Sequence, residues 1–554
     1  MELNPSIERI LLNRGISTPE DLEEYLSDKP QTTYDPFLLH DMEEGVDLIL
    51  SAVDMGKNIC IYGDYDADGV TSVALLKGVL DSMGAHTSYY IPSRFDEGYG
   101  LNSAALDKIK EAGASLVVTV DCGCTSVSEV EHAKEIGLEI LITDHHAMKD
   151  EIPDCLLINP KHPDSRYPFR SLAGVGVAFK VAQALVETVG LPKEVLTSNL
   201  DLVGIGTIGD VVPLVDENRM LVKYGLRAIN VSNRPGLKAL IERVGLTQGA
   251  LKSRDISHVV VPHINAAGRV DNATLAARLM QTKDQDKAVK LADSLAECNI
   301  NRKNLQQSLL RDCLETLEAE GDIDRKFILL DVEGAHEGIV GIVASNIREK
   351  YGVPTMIMTT TPEGEKKGSG RSPDGIDLFS VLNKYPDVFV RFGGHAAACG
   401  FTVKPEEVSR LRDILEEEMG VKYEAAPEAF SGKKEPEILI DEDDADFTFT
   451  QQQDLMEPFG KDNPKPLIGL KLNVKSYDRI GAEGQFLRVR GVMPKGKDML
   501  CVDFMHPDED EVIAARSYGG GDTILAVGYL EEREWNGTKS LQFKIEHLEE
   551  VPSE

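Results

Sequence analysis

The segment Gly63-Asp64-Tyr65-Asp66-Ala67-Asp68-Gly69 sets three carboxylates at alternate positions between an apolar run and a helix-like stretch. Alternate spacing lets two of them point into one pocket, and the flanking glycines allow a tight backbone path. Carboxylate oxygens are hard ligands suited to magnesium or manganese. A capped turn or a calcium loop has the same spacing, but no bidentate glutamate follows where a calcium loop needs one; the apolar TSVALLKGVL follows instead. Asp121 ends the run ASLVVTV, where a lone aspartate is more often a helix cap. Asp144-His145-His146 ends LEILIT, and paired histidines after a buried strand are harder to explain structurally. Asp210 follows DLVGIGTIG and alone would be a loop residue. Together these side chains supply enough ligands for two ions. Two ions activate water and stabilise charge developing on phosphoryl oxygens, so the expected chemistry is phosphoryl hydrolysis.

Such ligands need a scaffold that brings distant loops together. From Asn58 onward, short apolar runs (NICIY, HTSYYIP, ASLVVTV, LEILIT) alternate with helical stretches near Val70 to Met83, Ala104 to Ala112 and Val127 to Ile136. This rhythm predicts a parallel α/β sheet, in which ligands collect beyond the carboxyl ends of the strands. The three acidic or imidazole loops all sit at such ends. Helices are expected over Ser171 to Val189 and Asp201 to Asp210, and a long charged connector over Asp284 to Glu320. A second α/β unit begins near Lys326, and a charged linker spans Glu424 to Glu435. Then ILI, IGLKLNV, FLRVRGV, MLCVDF, TILAVGYL and SLQFKIE read as short strands, with a hairpin turn at Asn536-Gly537 beside Trp535. That pattern fits a small OB-like β-barrel. The expected organisation is an N-terminal helical segment (1–50), a catalytic domain (51–283), a connecting helix (284–322), a smaller α/β domain (323–424) and a barrel domain (435–554).

At 554 residues the chain is too long for one core, so three or four domains are expected. A net charge of −34 weighs against passive nucleic-acid binding, although carboxylates gathered around metals count as excess acid until the ions are included. The eight cysteines include one close pair, Cys122 and Cys124, which is weak evidence for zinc. No signal peptide and no membrane-spanning run is read, so a cytoplasmic protein without membrane contact is expected.

The ordered set NRGI, IYGDYDADGVTS, IPSRFDEGYGL, VTVDCG, LITDHH, GTIGDVVPL, INAAGR, HEGIVGIVAS, SGRS, GGHAAACGF and PFGKDNPKP resembles the DHH phosphoesterase superfamily, and within it the RecJ single-strand exonucleases. The resemblance implies DHH, DHHA1 and OB-like domains enclosing a DNA path. It implies 5′→3′ hydrolysis of single-stranded DNA to mononucleotides in repair and recombination, with Mn2+ or Mg2+ as cofactor in two sites. By that resemblance Asp66 and Asp121 hold one ion, and Asp68, Asp121, His145 and Asp210 hold the other. His146 contacts the scissile phosphate, and Asp64 orients the loop or assists a ligand. Arg371, Ser372, Gly393, Gly394 and His395 are implied to contact nucleotide phosphate. Arg94, Arg269 and Arg302 are candidate backbone contacts, each more often a surface ion-pair residue when taken alone. Trp535 is a stacking candidate or a packing residue. Single-strand binding protein and a RecQ-like helicase are partners by the same analogy.

The sequence also departs from that family. Tyr62 stands where many members carry histidine, which weakens the first metal site or leaves Asp64 to substitute. His263, Ala335 and Asn346 replace a common Arg, Trp and Arg, and bear on DNA affinity and substrate length. Two other functions remain open: a DHH phosphodiesterase acting on short oligoribonucleotides or cyclic dinucleotides, and an inactive replication scaffold.

Overall fold

The computed structural model describes residues 2–550 apart from 30, 95–96, 99, 271, 322–324, 431–434, 482–483, 485, 504–522 and 536. Runs rich in Val, Ile and Leu form β1 (Asn58–Gly63), β2 (His86–Tyr90), β3 (Leu116–Val120), β4 (Glu139–Thr143) and β5 (Leu156–Ile158). They pair in parallel in the order β2-β1-β3-β4-β5. β1, β3 and β4 are buried almost throughout, as near-continuous apolar strands covered on both faces must be. The chain leaves β1 toward β2 on one side and reaches β3 on the other. That reversal opens a crevice at the carboxyl ends of β1 and β3, where Asp64 to Asp68 and Asp121 follow.

Helices Ala67–Ser82, Gly174–Val189 and Leu200–Gly209 are apolar nearly all round and mostly buried. One polar junction lies among them. Lys180 and Glu217, both fully buried, meet at 2.7 Å. The Lys180 ammonium also donates to Tyr34 O (2.7 Å) and Gln183 Oε1 (3.0 Å). Glu217 accepts from Thr33 Oγ1 (3.1 Å), Tyr34 N (3.3 Å) and the Tyr167 hydroxyl. Every charge is therefore matched, which a buried pair requires. The junction ties residues 33 and 34 to the helices Gly174–Val189 and Asp216–Val231.

A second compact unit comprises residues 266–272 and 293–434; the first comprises 1–265, 273–292 and 435–554. The second holds β6 (Ile328–Asp331), β7 (Thr355–Thr360), β8 (Lys366–Arg371), β9 (Phe389–His395) and β10 (Ala398–Val403), ordered β6-β7-β8-β10-β9. Its core gathers Ile339, Val343 and Ile347 of helix Glu337–Tyr351 with Ile357, Met358 and Phe401. The charged stretch expected as a connector is one helix, Gln285–Ala319. Residues 431–434 of the expected linker lie outside the described residues.

The C-terminal strands are β11 (Ile438–Leu439), β12 (Ile468–Ile480), β13 (Phe486–Val492), β14 (Asp498–Asp503), β15 (Thr523–Trp535) and β16 (Thr538–Glu550). β12 pairs with β15 as well as β13, so β12-β13-β14-β16-β15 closes into a five-stranded OB-like barrel, with β11 added beside β12. Trp535 pairs with Thr538 across the β15–β16 hairpin. Asn536, the expected turn residue, the side chain of Trp535 and Phe504 of the run MLCVDF lie outside the described residues. The barrel core is shared with the first helix, Pro5–Asn13, through Ile7, Ile10 and Leu11. Arg14 then grips Glu437 with two donors, at 3.0 and 2.7 Å.

Lys180→Met removes one half of the buried pair and leaves Glu217 charged without compensation. The expected cost is about 3–5 kcal/mol, read as a fall in the urea unfolding midpoint. An unchanged midpoint would show that water reaches Glu217.

Candidate metal centre

The carboxyl ends of β1, β3 and β4 deliver the expected loops to one crevice. Asp66 caps helix Ala67–Ser82, its Oδ1 accepting from Asp68 N (2.9 Å) and Gly69 N (3.2 Å). The cap fixes the loop so that Asp64 and Asp68 lie on either side of it. Asp68 is fully buried, and its two oxygens accept from Gly174 N (2.6 Å) and Val175 N (2.8 Å). Those amides open helix Gly174–Val189, whose N-terminal partial charge favours an anion. Asp121 leaves β3 with φ +63°, a left-handed conformation costly for a non-glycine residue. Asp210 is the C-terminal cap of helix Leu200–Gly209.

Two donor triads result. Asp64, Asp66 and Asp121 each place an oxygen within 4.8 Å of the others, and so do Asp68, His145 and Asp210 through oxygen or imidazole nitrogen. His145 Nε2 links the two, at 3.1 Å from Asp121 Oδ1, 3.4 Å from Asp210 Oδ2 and 3.9 Å from Asp68 Oδ2. Asp64 Oδ1, Asp121 Oδ1 and both His145 ring nitrogens are buried with no hydrogen-bond partner among the described residues. Buried polar atoms left unpaired are costly, and a cation would satisfy them. Carboxylate oxygens with one imidazole fit Mn2+ or Mg2+.

The electrostatics agree. Burial, then repulsion from Asp66, pushes Asp68 up to about 7. Burial, then Asp68 and Asp66, pushes Asp210 up to about 9. Burial also raises Asp121 well above the usual carboxylate range, with Asp68, Asp66 and Asp210 adding to it. Asp64 is raised by burial and by Asp66. His145 is held down at about 3, chiefly by burial and then by the His146 charge, so it is neutral and fit to ligate. Four carboxylates thus crowd one another out of water, a conflict that a divalent ion would relieve.

His146 behaves oppositely. Burial alone would lower it, but the hydrogen bond and charge of Asp144, then Asp210 and Asp68, raise it to about 9. Its Nδ1 lies 2.8 Å from Asp144 Oδ1, and the side chain is partly exposed. Asp144 itself is buried and accepts from Cys124 N (2.9 Å), His145 N (2.7 Å) and His146 N (3.1 Å). In the sequence Asp144 figures only as part of the triplet; in the structure it orients both histidines. Two further supports act on the site from outside the ligand loops, and one of them, Asn265, belongs to the INAAGR motif. Lys161 Nζ donates to His145 O (2.6 Å), and Asn265 Oδ1 accepts from Ala67 N (2.7 Å). Each acts through a neighbour's main chain, a role that the residue type alone does not reveal.

Tyr62 contributes no ligand. It is fully buried, stacks on Tyr90 and donates its hydroxyl to Gly100 O (2.9 Å). Arg94 lies over the Tyr65 ring at 4.6 Å, and its charge reaches Asp64. Phe95, Asp96 and Tyr99 of the same segment lie outside the described residues. His263 bonds through Nδ1 to Val259 O within its own helix.

In the second unit, Arg371 and His395 stand on either side of Ala398, and Ser369 and Gly393 on either side of Gly400. Directly opposed residues share a face, so this sheet presents bare glycine backbone flanked by an arginine and a histidine. A Cβ at Gly394 would meet Ala398 O at 2.3 Å, whereas one at Gly393 would meet nothing within 4 Å. The fold therefore requires glycine at 394, whereas the space over 393 is open. Arg371 donates to Gly370 O (2.8 Å), and Arg269 donates to Gly338 O (3.1 Å). Asn346 accepts from Gln306 (2.8 Å), and Ala335 packs against the core. Two expected contacts need correction. Ser372 is 1% exposed and gives its hydroxyl to Ile376 O (2.7 Å), so it closes a loop. Arg302 is 9% exposed and bonds Asn299 and Gln306 along its own helix.

Family profiles for the DHH family N-terminal domain, the DHHA1 domain and the RecJ OB domain match residues 58–207, 324–420 and 437–547. Single-stranded-DNA-specific exonuclease RecJ of Bacillus subtilis (strain 168) is 36% identical over 548 residues, covering 98% of this chain and 68% of that protein. The chain belongs to the RecJ family. The crystal structure of Thermus thermophilus RecJ in complex with Mn2+ superposes with a TM-score of 0.83 at 29% identity, covering 100% of this chain and 76% of that one. The Mg2+ complex of the same RecJ gives 0.77 at 28%, covering 100% and 75%. The motif-based resemblance to RecJ thus extends along the whole chain.

A Cβ at Gly174 would sit 2.4 Å from Asp121 Oδ1. Gly174→Ala should displace Asp121 and weaken Mn2+ binding about tenfold or more by calorimetry, with far-UV circular dichroism unchanged. Undiminished affinity would mean that the helix yields instead. Proton linkage gives a second expectation. Asp68 and Asp210, at about 7 and about 9, hold protons in the folded state that the unfolded chain releases at roughly pH 4. Metal-free protein should therefore lose stability as pH rises from that value through both folded values, and Mn2+ should reverse the loss. Thermal midpoints at about pH 5 and about pH 8, with chelator and with Mn2+, measure it; a flat chelated profile would count against the crowding.

Proposed function

We propose that this chain is a metal-dependent exonuclease that hydrolyses single-stranded DNA 5′→3′ to mononucleotides in DNA repair and recombination. The observation that carries the reading is the meeting of two donor triads across Asp121 and His145 at the mouth of a parallel sheet. In this assignment Asp66 and Asp121, aided by Asp64, hold one ion, and Asp68, Asp121, His145 and Asp210 hold the other. Bound there, two divalent ions supply the nucleophilic water and stabilise charge on the phosphoryl oxygens. Mn2+ or Mg2+ suits the donors, and RecJ of Thermus thermophilus has been solved with each.

The chain's own residues divide the remaining work. The hydrogen bond to Asp144 favours the charged form of His146 and fixes its ring through Nδ1, so Nε2 is the nitrogen that would donate to the scissile phosphate. Neutral His145 offers a lone pair without adding charge. Arg94 approaches the crevice from the loop after β2 and would take a neighbouring phosphate. The glycine platform with Arg371, Gly393, Gly394 and His395 would bind nucleotide phosphate, with Arg269 a further backbone contact. Ser372 is left out of that set, because its hydroxyl proton is committed to Ile376. The OB-like barrel supplies a surface of the kind that binds single strands.

The polarity, the cytoplasmic setting and partnership with single-strand binding protein and a RecQ-like helicase rest on the RecJ relationship alone. No helix among the described residues is long and apolar enough to cross a membrane. A timed digestion of 5′- and 3′-labelled single strands with Mn2+ or Mg2+, beside a dinucleotide, tests the whole reading. Loss of the 5′ label first, and abolition by Asp121→Ala, are expected. Preference for the dinucleotide, or full activity in Asp121→Ala, would refute it.

A further inference from the structure

Helix Leu200–Gly209 ends at Asp210, and the next residue, Val211, adopts a left-handed backbone with φ +57°. Glycine normally stands at this position, because a β-branched residue there is strained. The turn needs only the backbone conformation, which glycine would adopt without strain. The valine side chain also gives little to the core, for the residue is 64% exposed. The sequence therefore places an apolar side chain, at a cost in stability, where the fold asks for none. Such an observed outlier beside a reactive centre points to a use outside the fold.

The surroundings indicate that use. Val211, the residue after Asp210, lines a cavity of about 950 Å³ that runs to the barrel, with Tyr529, Lys465, Arg254 and Lys461 on its walls. Leu214 N donates to Lys461 O (2.8 Å), which fixes the turn of residues 211–214 against the loop carrying Lys461. Several acids of the cavity are already neutralised. Asp454 pairs with Lys252 (2.8 Å), Glu531 with Lys465 (2.6 Å) and Glu532 with Lys539 (3.1 Å). Among the described residues, no ion pair engages Arg254 or Lys461. Glu457 and Glu546 share the cavity, and beside them Arg254, Lys461, one tyrosine and one strained valine make a surface for a nucleotide: charge for phosphate, apolar groups for sugar and base.

Resting on the single-strand reading above, we propose that Val211 is a substrate contact. Its side chain packs against the sugar or base of the nucleotide next to the scissile phosphate, and the left-handed turn aims it there. The contact exists with substrate bound and contributes mainly to binding.

Val211→Gly separates the two roles, because it keeps the turn and removes only the side chain. Its thermal midpoint should equal or exceed the parent's, and its Mn2+ affinity should match. KM for a 5′-phosphorylated single strand should rise by about fivefold to tenfold, with kcat changing less and Val211→Ala falling between. An unchanged KM would overturn the proposal, since the side chain would then touch nothing. A lowered midpoint would also overturn it, by showing that the valine packs within the protein. The parent, assayed in parallel, keeps the two readings distinct. If it cuts single strands while Val211→Gly matches it, only this inference falls; if it leaves them uncut, both fall.

Discussion

Mutual repulsion among buried carboxylates governs this molecule. Asp64, Asp68, Asp121 and Asp210 are driven toward protonation by burial and by one another, with Asp66 adding to the crowd. Like charges do not stay together out of water unless the structure forces them to. Each element around the crevice can be understood as part of that force. The amides opening helix Gly174–Val189 grip both oxygens of Asp68. The left-handed turn at Asp121 swings its carboxylate across from β3 toward His145. The buried Lys180–Glu217 pair anchors the far side of the same helix.

The two histidines show how one aspartate can divide labour. Asp144 binds the main chain of both and the ring of only one. His146 is thereby kept charged, while burial and the His146 charge keep His145 neutral, although they are adjacent in sequence. A pair of identical side chains thus acquires opposite roles from burial, hydrogen bonding and neighbouring charge.

Much of this was legible in the sequence, and the reason is geometric. A parallel sheet sends every loop that follows a strand to one edge, so Asp66, Asp121 and His145 could be placed together from strand pattern alone. Side chains whose role depends on what they bond were not legible in that way. Ser372 in a serine-arginine motif looked like a phosphate ligand, yet its hydroxyl is spent on Ile376. Arg302 looked like a surface cation, yet it lies along its helix between Asn299 and Gln306. Tyr62 looked like a defect in a metal site, but its ring points into a stack with Tyr90. Long-range packing was also hidden. Nothing in the pattern PSIERILLN indicates that its apolar face belongs with strands near residue 470.

That shared core has a consequence for synthesis. Ile7, Ile10 and Leu11 share one buried core with Leu470 and Phe543, which are synthesised several hundred residues later. At roughly 5–20 residues per second, the interval is on the order of half a minute to a minute and a half. During that time the first helix has an apolar stripe and no native partner for it. Closing so long a loop is entropically slow but not prohibitive, since the cost grows only with the logarithm of length. Completion of the barrel is therefore the step that buries this stripe, and helix Pro5–Asn13 matures together with strands far along the chain.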